Sequence, residues 1–137
     1  MRDKMLGFMR TQFLCTIATV TKDGKPGAAY VAYSSNDDME IIVGTSSNSR
    51  KYQNLAHSKS VAIVIATTEA EVQYEGEVEI IADGEYRKLV ETSHIAKVPG
   101  SDKYREDPSQ VYLKITPTWV RFISHTDNNA IEEFTEF

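Results

Sequence analysis

The chain lacks most of what would let it run chemistry unaided. It has a single cysteine, Cys15, which excludes an internal disulfide and any Cys-x-x-Cys motif and suits a reducing, cytoplasmic setting. Cys15 lies in an apolar strand-like run and reads as a small core residue. The three histidines, His57, His94 and His125, share no ligand spacing, so no metal site is expected. G-x-S-x-G, G-x-G-x-x-G and the phosphate-binding G-x-x-x-x-G-K-[S/T] are all absent. Carboxylates are plentiful, yet no pair stands out as acid and base. An enzyme built this way needs a cofactor to carry the reaction.

Positive charge is also in short supply. Fifteen Lys and Arg stand against 20 Asp and Glu, a net charge of −5, which excludes the basic footprint of non-specific nucleic-acid binding but leaves room for a local basic site. No apolar run approaches the ~18 residues of a spanning helix, so no membrane partner is expected. The opening residues carry Asp3, Lys4 and Gly7 without a sustained apolar core, and a secretory leader is not expected.

The 137 residues, 41% of them hydrophobic, suffice for one domain with a real core. Met1, Met5, Leu6, Phe8 and Met9 recur at helical spacing and predict a helix over residues 2–12, with an apolar face to cover the open end of a sheet. Phe13–Thr21 reads as a central strand with both faces at least half buried. Asp23-Gly24 signals a hairpin in which both residues take positive φ, and Pro26 is tolerated at the entry of the next strand, Ala28–Ser34. A third strand, Met39–Gly44, completes an expected three-stranded meander. Ser60–Thr67 reads as a fully buried strand. Glu71–Ile81 alternates, with Val72, Tyr74, Gly76, Val78 and Ile80 on one side, and Gly76 is a candidate bulge beyond which the parity shifts. A helix over 85–96 carries Tyr86, Leu89, Val90 and Ser93 on one face, and its His94 reads as a surface residue. His57, near the end of an earlier short helix, reads as structural. Val111–Thr116 and Thr118–Ser124 form two further strand-like runs separated by Pro117, and Trp119, Arg121 and Ile123 share a side. In the acidic tail, residues 125–137, Ile131, Phe134 and Phe137 recur every three residues as an apolar stripe. The fold class is mainly β: an antiparallel barrel of six or seven strands with about three short helices.

One stretch concentrates the chemistry. Gly44-Thr45-Ser46-Ser47-Asn48-Ser49-Arg50-Lys51 follows an apolar strand and opens a helical pattern, 49–56. Small residues admit a close backbone approach, hydroxyls and amides donate, and adjacent cations neutralise, which together suit a phosphate. The same residue types also serve as helix caps and turns, with Arg-Lys as a solvated pair.

The ordered series FLCTIATVT, KDGKP, a strand of small and apolar residues, IIVGTSSNSRKYQNL, SVAIVIA and VQYEGEVEII resembles the pyridoxamine 5′-phosphate oxidase-like family, the FMN-binding split β-barrels. The resemblance covers residues 13–81 well and the last third loosely. It implies a homodimer with two FMN molecules at the subunit interface. It assigns the FMN phosphate to Thr45, Ser46, Ser49, Arg50 and Lys51, places Gly44 beside the flavin, and gives Gln73 a contact to the ring. Ala29, Tyr30 and Val31 match the strand whose backbone faces the isoalloxazine. Trp119 and Arg121 would approach from the second subunit. The C-terminal Arg and His that grip substrate in the true oxidases have no match, because Arg121 and His125 are wrongly spaced. The implied activity is therefore broader: an FMN-dependent oxidoreductase passing a hydride through flavin N5 to or from a small substrate or a nicotinamide nucleotide. A flavin-binding module without turnover, relatives that bind a deazaflavin or haem, and a non-flavin dimerisation domain are the alternatives.

Overall fold

Alternation of apolar and polar residues builds one curled antiparallel sheet. The computed structural model describes all residues, 1–137. Helix α1 (Arg2–Thr11) leads into β1 (Leu14–Val20), β2 (Pro26–Ala32), a two-residue β3 (Ser34–Ser35) and β4 (Ile41–Ser46). Helix α2 (Arg50–Leu55), β5 (Ser60–Ala66), β6 (Ala70–Ile80), helix α3 (Glu85–Lys97), a 3-10 turn (Ser101–Tyr104), β7 (Gln110–Ser124) and β8 (Ala130–Phe134) follow. The expected mainly-β antiparallel architecture with three helices is present, with eight strands rather than six or seven.

The strand order is β2-β1-β5-β6-β7-β4-β3, with β8 on the free stretch of β7. The first hairpin forms as expected, but no meander does. β4 pairs with β7 instead of β2. Local pattern cannot register this, because the partner lies some 70 residues away. β2 and β4 nevertheless come into contact as the sheet curls, and the gap between them is where the site opens.

Inward side chains of β1, β4, β5, β6 and β7 fill the core, and Met5 and Met9 of α1 are fully buried against it. Two buried tyrosines satisfy their hydroxyls on backbone carbonyls, Tyr33 on Met9 at 2.6 Å and Tyr74 on Met39 at 2.8 Å.

Several local expectations need correction. β5 is not buried on both faces: Val61, Ile63 and Ile65 point inward while Ser60, Ala62, Val64 and Ala66 face outward. β1 alternates in the same way, exposing Leu14 and Thr16. In the first hairpin only Gly24 takes positive φ, 81°. A turn with both central residues left-handed lies instead at Asn128-Asn129, φ 56° each, within the five-residue link from β7 to β8; Asn tolerates this region better than other residues with a side chain. Pro117 does not split a strand. Glu75 faces Trp119 and Gly76 faces Pro117, so Thr118 is the extra residue of a bulge within one continuous β7. The bulge is thus opposite Gly76, and the alternation of β6 runs on unshifted. The tail residues Ile131 and Phe134 form no stripe, since a strand of period two puts them on opposite faces.

Candidate functional site

The site grows from the end of β4. Gly44 packs closely: a Cβ there would sit 2.5 Å from Gln110 Nε2, the end of a flexible side chain, and 3.3 Å from Tyr112 Cε1. Thr45 Oγ1 and Ser49 Oγ are 3.1 Å apart, and Ser49 caps α2 by accepting from the Tyr52 amide at 3.2 Å. Ser46 Oγ accepts from the Asn48 amide at 3.1 Å and donates to Ser109 Oγ at 3.2 Å. The hydroxyls therefore shape the turn as the cap reading holds. α2 has only six residues, so its dipole is slight and the positive potential comes from Arg50 and Lys51. Neither cation forms an ion pair within the protein. Partial burial lowers the Lys51 pKa, because the ammonium loses water without gaining a counter-charge.

Two cavities meet at Lys51. The smaller, about 280 Å³, has walls of Gly27, Ala28 and Ala29 and is bordered by Arg50, Lys51 and Asn54. Asn54 is held by a 3.0 Å bond to Thr19 Oγ1. The larger, about 480 Å³, opens between Tyr30 and Val31 of β2 and Gly44, Thr45 and Ser46 of β4. Its far wall is the end of α3 and the turn that follows, including His94, Lys103 and Tyr104.

Ala29, Tyr30, Val31, Gly44, Thr45, Ser46, Ser49, Arg50 and Lys51 are thus gathered along two joined cavities. Gln73, Trp119 and Arg121 are not. They occupy the outer face of the sheet, in which Tyr30, Thr16, Val64, Gln73, Arg121 and Glu133 form one cross-strand row. Three strand spacings, roughly 14 Å, separate Tyr30 from Gln73 in that row. Arg121 pairs with Glu133 at 2.5 Å and lies over the Trp119 ring at 5.4 Å, while Gln73 donates to Glu71 at 2.6 Å.

His94 is the residue the sequence reading misplaced. It is 3% exposed, bonded through Nδ1 to Ser34 Oγ at 2.8 Å, edge-on to Tyr112, and part of the larger cavity's wall. Burial, reinforced by Lys97, pushes its pKa down to about 4, so it is neutral at pH 7. The face of α3 that packs inward is the stripe Arg87, Glu91, His94 and Val98, whereas Tyr86 and Leu89 are 48% and 70% exposed. A search for an apolar stripe therefore selects the wrong face. The available signal was the i, i+4, i+7, i+11 spacing of those four residues. No three His, Cys, Asp or Glu side chains converge to hold a metal ion, and no helix is long and apolar enough to cross a membrane.

Among curated proteins, a pyridoxine/pyridoxamine 5′-phosphate oxidase from Nostoc sp. is 39% identical over 72 residues, which are 51% of this chain and 34% of that protein. The chain thus spans about a third of the length of the curated relatives it matches. Among solved structures, a heme binding protein from Mycobacterium smegmatis superposes with a TM-score of 0.78 at 21% identity, covering 93% of this chain and 56% of that one. A pyridoxamine 5′-phosphate oxidase-related, FMN binding protein from Nostoc punctiforme gives 0.62 at 14% identity, covering 99% and 91%. These likenesses carry the split β-barrel fold. The profile of the family described as "Pyridoxamine 5'-phosphate oxidase" matches residues 1–124, every element up to the end of β7, and by that match the chain belongs to the pyridoxamine 5′-phosphate oxidase family.

Proposed function

We propose that the chain is an FMN-dependent oxidoreductase that works as a homodimer. The observation that carries the reading is the pair of cavities joined at Lys51, one small and cationic, the other larger and bounded by strand backbone. A phosphate suits the first, because Arg50 can chelate two oxygens, Lys51 adds a point charge, and Gly27, Ala28 and Ala29 leave room for it. A flat ring suits the second, where Gly44 presents no side chain and Tyr30 and Val31 offer the other wall. The hydroxyls of Thr45 and Ser49 would orient the chain between ring and phosphate.

When bound, FMN supplies hydride transfer at its own ring, so the protein needs no dedicated acid or base. The residues of this chain bind, orient and exclude water. Gln73, Trp119 and Arg121 are too far along the sheet to reach the cavities of their own protomer, and the homodimer accounts for them: they would border the cofactor held by the partner. The exposed outer face, with Val64 41% and Tyr30 72% exposed, supplies apolar surface for that contact.

The absorption spectrum of protein purified without added cofactor, then titrated with FMN, tests the reading. Flavin bands at ~370 and ~450 nm, at about one equivalent per subunit, are expected, with bleaching on addition of NADH or NADPH. Protein that stays colourless and takes up no FMN overturns it. A Soret band moves the assignment to haem, and bound flavin that no donor reduces moves it to a carrier or sensor.

A further inference from the structure

We propose that the larger cavity receives a small organic anion and that His94 holds one of its oxygens through a fixed Nε2–H donor. The inference rests on the reading above for the neighbour it assigns to the substrate, the FMN ring, but the donor itself is set by His94, Ser34 and Tyr112 of this chain.

Ser34 is buried, and His94 Nδ1, 2.8 Å away, is the only hydrogen-bond partner its hydroxyl has. A hydroxyl that donates to Nδ1 satisfies both atoms. The reverse arrangement would leave the serine proton without an acceptor in the protein. Ser34 therefore favours the tautomer with its proton on Nε2. Nε2 itself has no partner among the side chains or backbone, yet no buried side-chain nitrogen or oxygen lacks one. It must then reach accessible space, and the space that His94 borders is the larger cavity.

The surroundings determine what this donor would meet. Lys51 and Lys103 also line the cavity, and neither forms an ion pair. The carboxylate on the wall, Asp107, is engaged by the Ser109 amide and hydroxyl at 2.9 and 2.8 Å. A neutral N–H donor in a cavity that two cations also line favours an anionic oxygen over a cationic or wholly apolar ligand. Packing fixes the imidazole: Tyr112 meets it edge-on with centroids 5.8 Å apart, so the donor is pre-oriented.

Benzoate and phenyl phosphate serve as probes, a carboxylate and a phosphate on the same ring. They are titrated into ¹⁵N-histidine-labelled protein with and without FMN. At pH 7 the His94 signals are expected to show Nε2 protonated and Nδ1 bare, with a saturable Nε2 shift as at least one probe binds. The probe that binds more tightly distinguishes carboxylate from phosphate recognition. His94→Phe should weaken that probe about tenfold or more, and His94→Gln, which keeps an N–H, about threefold or less. Ser34→Ala, which keeps the histidine, should weaken the probe and mix the two tautomers in the ¹⁵N spectrum. The proposal is overturned if the proton sits on Nδ1, if neither probe moves Nε2, or if His94→Phe binds the probe as tightly as the unchanged protein. FMN uptake with a silent Nε2 overturns this inference alone. A responsive Nε2 in protein that takes up no FMN supports it while overturning the flavin reading.

Discussion

At the scale of single residues, Arg50 and Lys51 were legible because adjacent cations after a hydroxyl-rich turn are unusual in a chain of net charge −5. Each charge-assisted contact to a phosphate is worth about 1.5–3 kcal/mol, so Arg50→Ala/Lys51→Ala should weaken FMN by about two to four orders of magnitude. Fluorescence quenching of added FMN measures this, and an unchanged affinity would remove the phosphate from this site. The pH dependence has a definite form. Affinity should rise with pH as the phosphate takes its second charge near ~6. It should fall again as Lys51 loses its proton, below the ordinary 10.5 because burial lowers that pKa. His94 was not legible, since its role depends on which face of α3 packs, and tertiary contact decides that. Its folded pKa of about 4 lies below the ordinary 6.5. Between those values the unfolded chain binds a proton that the folded one does not, so stability is lost as pH falls from about 6.5 to about 4. The loss is on the order of 3 kcal/mol. Urea midpoints at pH 7 and pH 4.5 should differ more for the unchanged protein than for His94→Phe, and equal differences would count against a buried neutral imidazole.

At the scale of elements, what the sequence carried was periodicity, and what it withheld was partnership. The alternation in β6 located its inner face correctly. The pairing of β4 with β7, the fusion of two runs across Pro117, and the left-handed turn at Asn128-Asn129 all depend on distant contacts or on backbone conformations that several residues permit. Gly76 shows how the two kinds of information meet. Its lack of a side chain was visible, but its reason is the bulge on the opposite strand, which brings Thr116 O to 2.7 Å and Ile115 Cγ2 to 2.9 Å of where a Cβ would stand. The carbonyl belongs to a paired strand and cannot withdraw as a flexible side chain could. Gly76→Ala should therefore destabilise the protein by about 1–3 kcal/mol, the range for forced overpacking. Gly44→Ala should be milder, because its nearest neighbour is the end of the Gln110 side chain. Thermal or urea denaturation of the two variants checks the order, and a larger loss at Gly44 would refute it.

At the scale of the whole molecule, the outer face of the sheet decides whether one chain suffices. The row Tyr30, Thr16, Val64, Gln73, Arg121, Glu133 runs from the edge that borders the cavities to the edge formed by β8. Val64 stands in its middle, 41% exposed, with its inward neighbours Ile63 and Ile65 each 1% exposed. A charge at Val64 would leave the core untouched and face water in a lone chain. In the homodimer proposed above it would be buried without a partner, a loss of several kcal/mol for the assembly. Val64→Glu should thus retain its circular dichroism spectrum and a cooperative thermal transition, while light scattering reports a mass near that of one chain. FMN affinity should fall with it, because Gln73, Trp119 and Arg121 of a second copy would no longer be available. A monomeric variant that still binds FMN as tightly as the unchanged protein would confine the cofactor to the two cavities of one chain and leave the outer row without a role in the site. A variant that stays dimeric would move the interface to another face of the barrel.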